Sequence, residues 1–157
     1  MEESAMKNKK FISLALALCL IFALCVPASA AVNVPNGTFS SNYFSNYGVA
    51  LSDAGSHQLR ITFSTDGMGI CDELGVSTFS VQKRITLDDG SYGWLDVGSF
   101  SGQTGHNVSS YTYSVLYQGV AGATYRVRAT FVCVKTFPDG HTGVEHKTTT
   151  TGGKRIN

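Results

Sequence analysis

Asp139, His141, Glu145 and His146 are the residue types that hold a metal ion, and they crowd one stretch near the carboxyl end. His141 and His146 are five residues apart, an odd spacing that sends strand side chains to opposite faces. The cluster is expected to be a solvated polar loop, and no metal site is assigned. Asp88 and Asp89 are the types that flank a scissile glycosidic bond. They precede Gly90 in the run Asp88-Asp89-Gly90-Ser91, where Asp-Gly is hairpin-turn chemistry tolerant of positive φ. Gly98-Ser99-Phe100-Ser101-Gly102 carries the glycine spacing of a nucleophile elbow, but Phe100 stands where the serine must be. No Asp-x-Asp-x-Asp-Gly calcium loop is present. These readings give no catalytic residue and call for no cofactor. The protein is expected not to be an enzyme, with a hydrolase as the weakest alternative.

Three sets of residues remain as candidates for binding or bracing. Cys71 and Cys133 are the cysteines left once an amino-terminal leader is removed. An even pair in an exported chain favours a disulfide, with two free buried thiols as the alternative. Closing a loop of that length would stabilise the fold by roughly 4 kcal/mol in the chain-entropy model. Tyr92 and Trp94 follow the Asp-Gly turn and could stack on sugar rings, although a chain's one tryptophan is expected first to fill the core. Gln82, Arg84, Arg126 and Arg128 form a candidate ligand face if their strands are neighbours. The plainer reading is a charged ladder that keeps the sheet soluble.

The elements that must position these residues are strands. From Thr124 to Lys135 the chain alternates: Tyr125, Val127, Ala129, Phe131 and Cys133 share one face, and Arg126, Arg128, Thr130, Val132 and Val134 the other. A period of two marks a strand with one buried face. His57 to Thr65 repeats the pattern, with Leu59, Ile61 and Phe63 inward. Asp66-Gly67-Met68-Gly69 is expected to break that strand, and Cys71 to Gly75 to form one helical turn closed by Gly75. Further strands are expected over Val76–Leu87, with Phe79, Val81 and Ile85 inward, then Tyr92–Phe100, Val108–Gln118 and Val144–Thr151. Short strands with glycine-rich turns and no helical periodicity indicate an all-β protein.

The segment Gly122-Ala123-Thr124-Tyr125-Arg126-Val127 resembles the run that opens the sixth strand of fibronectin type III domains. Tyr125 resembles the tyrosine corner of immunoglobulin-like sandwiches, whose hydroxyl caps the preceding turn. The resemblance implies an antiparallel sandwich of about seven strands, in whose order Cys71 and Cys133 fall at the same end. From about Leu74 to Thr150 the chain also resembles a family of small exported proteins of Gram-positive, Clostridia-type bacteria that has no assigned activity. The marks are Gly75-Val76-Ser77-Thr78, the Gln82-Lys83 hairpin leading to Trp94, Val108-Ser109-Ser110-Tyr111, and Gly122 to Phe131. That resemblance implies fold and export only.

Export is read from the leader itself. Lys7, Lys9 and Lys10 precede an apolar run from Phe11 to Val26, and Pro27-Ala28-Ser29-Ala30 offers small residues for cleavage. The expected organisation is a signal peptide at 1–30, a flexible arm at 31–47, a β-sandwich domain at 48–151 and a tail at 152–157. Of 12 basic and 11 acidic residues, the leader takes Lys7, Lys9, Lys10, Glu2 and Glu3, which leaves no net charge. A nucleic-acid partner is disfavoured by that balance, and no membrane association is expected after cleavage. The expectation is a secreted, non-catalytic binding or surface-interaction module whose partner is an extracellular protein or polysaccharide. The alternative is a cell-envelope carbohydrate-binding module.

Overall fold

The structure, a computed structural model, describes residues 41–157. The leader and the first part of the arm lie outside the described residues. What is described is all-β: seven antiparallel strands in one curled sheet. They are β1 (Phe44–Gly55), β2 (Gln58–Thr86), β3 (Tyr92–Ser101), β4 (Thr104–Gln118), β5 (Thr124–Thr136), β6 (Thr142–Thr150) and β7 (Lys154–Arg155).

β2 is the hub of the sheet, and it is longer than the sequence suggests. Its first half pairs with β1 on one side and β4 on the other; its second half pairs with β3 and β5, and β5 carries β6 and β7. The expected break at Asp66–Gly69 is a bulge in the β4 register between Asp66 and Cys71. The expected helical turn at Cys71–Gly75 is not formed. Cys71, Leu74 and Val76 are core residues, and this segment pairs with β4 and β5 at once, Glu73 opposite both His106 and Val134. A helical turn would strip both ladders of their backbone partners. Gly75 serves close approach instead: a Cβ there would strike the carbonyl oxygen of Gln103, which accepts the Val76 N–H at 3.0 Å.

The alternating patterns place most of the core where they predict it, but Val132, on the face read as outward, is buried as well. Tyr125, Val127, Ala129, Phe131 and Cys133 are all buried, as are Leu59, Ile61, Phe63, Phe79 and Val81, while Ile85 is only half-buried. β4 lays Tyr113 on Phe63, ring centroids 4.8 Å apart. The Tyr125 hydroxyl accepts the Val120 N–H at 3.0 Å, so the turn ahead of β5 is capped by the side chain that anchors the strand.

Both ends of the described residues pack onto the sheet. β1 opens at Phe44, and Phe44 and Tyr47 join the core, Tyr47 against Phe131 with centroids 5.3 Å apart. Residues 44–47 thus belong to β1. At the other end Ile156 is fully buried. Its N–H donates to Ala123 O at 3.0 Å and its carbonyl accepts from Gly122 N–H at 2.9 Å. The Ile156 side chain and these two bonds, with the pairing of β7 on β5 and the Asn157 N–H donating to Asp53 Oδ2 at 3.0 Å, hold the tail to the sheet.

Candidate binding face

The strand register brings two of the sequence candidates onto one surface. Across β3, β2 and β5, Asp96 lies opposite Gln82 and Gln82 opposite Arg126; Trp94 lies opposite Arg84, and Tyr92 opposite Thr86. The next rank is Ser99, Ser80, Arg128 and, on β6, Thr150. Gln82, Arg84, Arg126, Arg128, Tyr92 and Trp94 thus share the outer face of one four-strand stretch.

Trp94 does not fill the core. Arg84 opposite it points to solvent, and directly paired residues share a face, so the indole lies outside. It is half-buried there by its neighbours. The Arg126 guanidinium carbon sits 4.4 Å from the indole centroid, and Arg126 Nε donates to Gln82 Oε1 at 2.6 Å. Gln82 Nε2 donates in turn to Asp96 Oδ1 at 2.8 Å. Gln82 is only 7% exposed, yet both ends of its amide are used. Arg84 lies over Tyr92, 4.7 Å from the centroid, and Tyr92 remains 67% exposed. Each aromatic therefore carries a guanidinium on one face. Asp96 is the member that sequence reasoning passed over. Its position two residues after Trp94 puts it on the same strand face, which was the available signal.

Two of the carboxylates that suggested chemistry, Asp89 and Asp139, are used in turns. Asp89 Oδ1 accepts from Ser91 N–H at 2.9 Å and Ser91 Oγ at 2.6 Å, and these bonds lower its pKa. Asp139 repeats the device, its Oδ1 accepting the His141 N–H at 3.0 Å. In both turns a glycine, Gly90 or Gly140, takes positive φ. The four residues Asp139, His141, Glu145 and His146 are not brought together: Glu145 lies opposite Cys133, whereas His146 lies opposite Val132. Among the described residues no three His, Cys, Asp or Glu converge as a metal site.

Glu145 instead anchors the start of β1, accepting from Ser41 Oγ and Tyr43 N–H, each at 2.8 Å, and pairing with Lys147 at 3.0 Å. Burial pushes its carboxyl up, but the bonds from Lys147, Ser41 and Tyr43 outweigh that, and its pKa is lowered.

Cys71 and Cys133 meet in the core as the pairing expectation requires, but as free thiols and not as a disulfide. Cys133 Sγ donates to Cys71 Sγ across 2.9 Å. Burial first, and then the neighbouring Cys71, push the Cys133 thiol up to about 12, so it is not a nucleophile at neutral pH.

No family model matches this sequence, and no curated protein does. Among solved structures, Spo0M, a sporulation control protein from Bacillus subtilis, aligns at a TM-score of 0.36 and 13% identity. The alignment covers 66% of this chain and 47% of that one.

Proposed function

We propose that this is an exported, non-catalytic binding protein that engages an extracellular partner through the outer face of β3, β2, β5 and β6. The observation that carries the reading is Arg126, clamped between the Trp94 ring and Gln82, with Gln82 braced by Asp96. A ladder made only for solubility has no need of fixed geometry. Rigid aromatic and arginine side chains lose little entropy on contact and are the usual energetic anchors of interfaces. The carbohydrate-binding alternative uses the same surface, favoured by the exposure of Tyr92.

Two finer readings belong to the proposal. The first is an immunoglobulin-like or fibronectin type III-like sandwich, supported by the Tyr125 cap and antiparallel pairing throughout. The second is a Cys71–Cys133 disulfide formed on export, the two thiols giving up two protons and two electrons to an oxidant of that compartment. Their adjacency supports it.

The test is retention on peptidoglycan, on insoluble polysaccharides and on immobilised extracellular proteins. Wild type should be retained on at least one, and Trp94→Ala/Arg126→Ala should be retained at least tenfold less. Equal retention of both would overturn the reading.

A further inference from the structure

Next to the Trp94–Arg126–Gln82 cluster the outer face dips into a shallow groove of about 430 Å³. Two ranks made mostly of serine and threonine line it. Ser99, Ser80 and Arg128 form one rank across β3, β2 and β5; Ser101, Thr78 and Thr130 form the next. The adjoining rank is Asp96, Gln82 and Arg126. The groove is thus lined by five serines and threonines, by Phe79 and Phe100 between them in sequence, and by the Arg128 guanidinium.

Two features mark it as unfilled. Ser80 Oγ is buried in the groove and has no hydrogen-bond partner among the described residues, where buried polar groups are normally paired. Arg128 is exposed and, among the described residues, carries no ion pair or side-chain hydrogen bond. Its neighbour along the strand, Arg126, has both its ring partner and its acceptor in place.

We infer that this groove binds a saccharide bearing a carboxylate, the carboxylate held by Arg128 and the ring hydroxyls by the serines and threonines. The inference rests on the binding-face reading and names its ligand class. Guanidinium and carboxylate match in planar, paired geometry. Serine and threonine hydroxyls both donate and accept, as sugar hydroxyls do. An acidic peptide fits less well. Peptides commonly dock by adding a strand to a free sheet edge, and β2 beneath the groove is already paired on both sides.

Calorimetric titration of the full processed chain with oligogalacturonate, its methyl ester and poly-glutamate tests the inference. Oligogalacturonate should bind saturably and at least tenfold tighter than either of the others. Arg128→Met should lose at least tenfold, and Arg128→Lys less. Ser80→Ala should lose several-fold while its melting temperature holds or rises, since the change removes an unpartnered hydroxyl. Equal affinity for the methyl ester, or undiminished binding by Arg128→Met, would overturn the inference. Poly-glutamate binding as tightly as the sugar acid would overturn it in favour of an acidic peptide. If oligogalacturonate does not bind while Trp94→Ala/Arg126→Ala still abolishes retention on another polymer, the groove falls and the binding face stands. If wild type is retained on nothing, both fall.

Discussion

Arg126 lies over the indole of Trp94, guanidinium carbon to ring centroid 4.4 Å, while its Nε is committed to Gln82. Gln82 is nearly buried, so removing Arg126 both ends a cation–π contact and leaves an amide oxygen without its donor. Arg126→Ala should therefore cost about 1–2 kcal/mol in urea unfolding. A double-mutant cycle with Trp94→Ala should return a coupling of about 0.5–1 kcal/mol. Additive effects would mean that the contact does not hold the face together.

The Tyr125 hydroxyl accepts the Val120 N–H at 3.0 Å while its ring is 2% exposed. Tyr125→Phe keeps the ring and deletes the acceptor. The expected loss is about 1–2 kcal/mol, read from the denaturation midpoint, with amide exchange at Val120 faster in the variant. An unchanged midpoint would remove the turn cap from the account.

The cysteine pair gives a pH signature that differs between redox states. In the reduced protein the Cys133 thiol is pushed up to about 12 from an ordinary 9.0. The unfolded chain loses that proton first, so the stabilisation is full below pH 9 and drains as pH rises towards 12. Tyr113 and Tyr117, both raised mainly by burial, add an alkaline loss of their own in either redox state. The exported protein should titrate no thiol in denaturant, and its stability should fall less between pH 9 and 11 than that of the reduced form. Two free thiols in the exported protein would refute the disulfide.

Glu145 ties the start of β1 to β6, its carboxylate receiving Ser41, Tyr43 and Lys147. Its pKa is lowered on balance, so this stabilisation is present above the unfolded carboxyl value and is lost as pH falls through the folded one. Glu145→Gln should release the Tyr43 amide to faster hydrogen exchange, by about 1–2 kcal/mol of local opening energy. Wild type should do the same in acid. Exchange at Tyr43 that ignores both changes would contradict the anchor.

The alternation from Leu59 to Phe63 and from Tyr125 to Cys133 made the two core strands legible, because a half-buried strand writes its period directly into residue type. The turn role of Asp89 was legible for a similar reason: Asp followed by Gly is local chemistry. The continuity of β2 was not, since Gly67 and Gly69 read as a break whether they make a turn or a bulge. Ile156 was hidden because one apolar residue after Gly152-Gly153-Lys154-Arg155 has no periodicity to reveal it. The candidate face was half legible. Its residues could be named, but only the register of β2 with β3 and β5 shows that Trp94 belongs with the arginines and not in the core.

Trp94 is the chain's one tryptophan, so its fluorescence reports on the proposed surface alone. Titration of the processed protein with oligogalacturonate and with solubilised peptidoglycan, followed at once by emission and by calorimetry, tests that surface most directly. A saturable change in emission that tracks the heat of binding is the predicted result. Emission that stays flat while heat is released would place the ligand elsewhere and contradict the account.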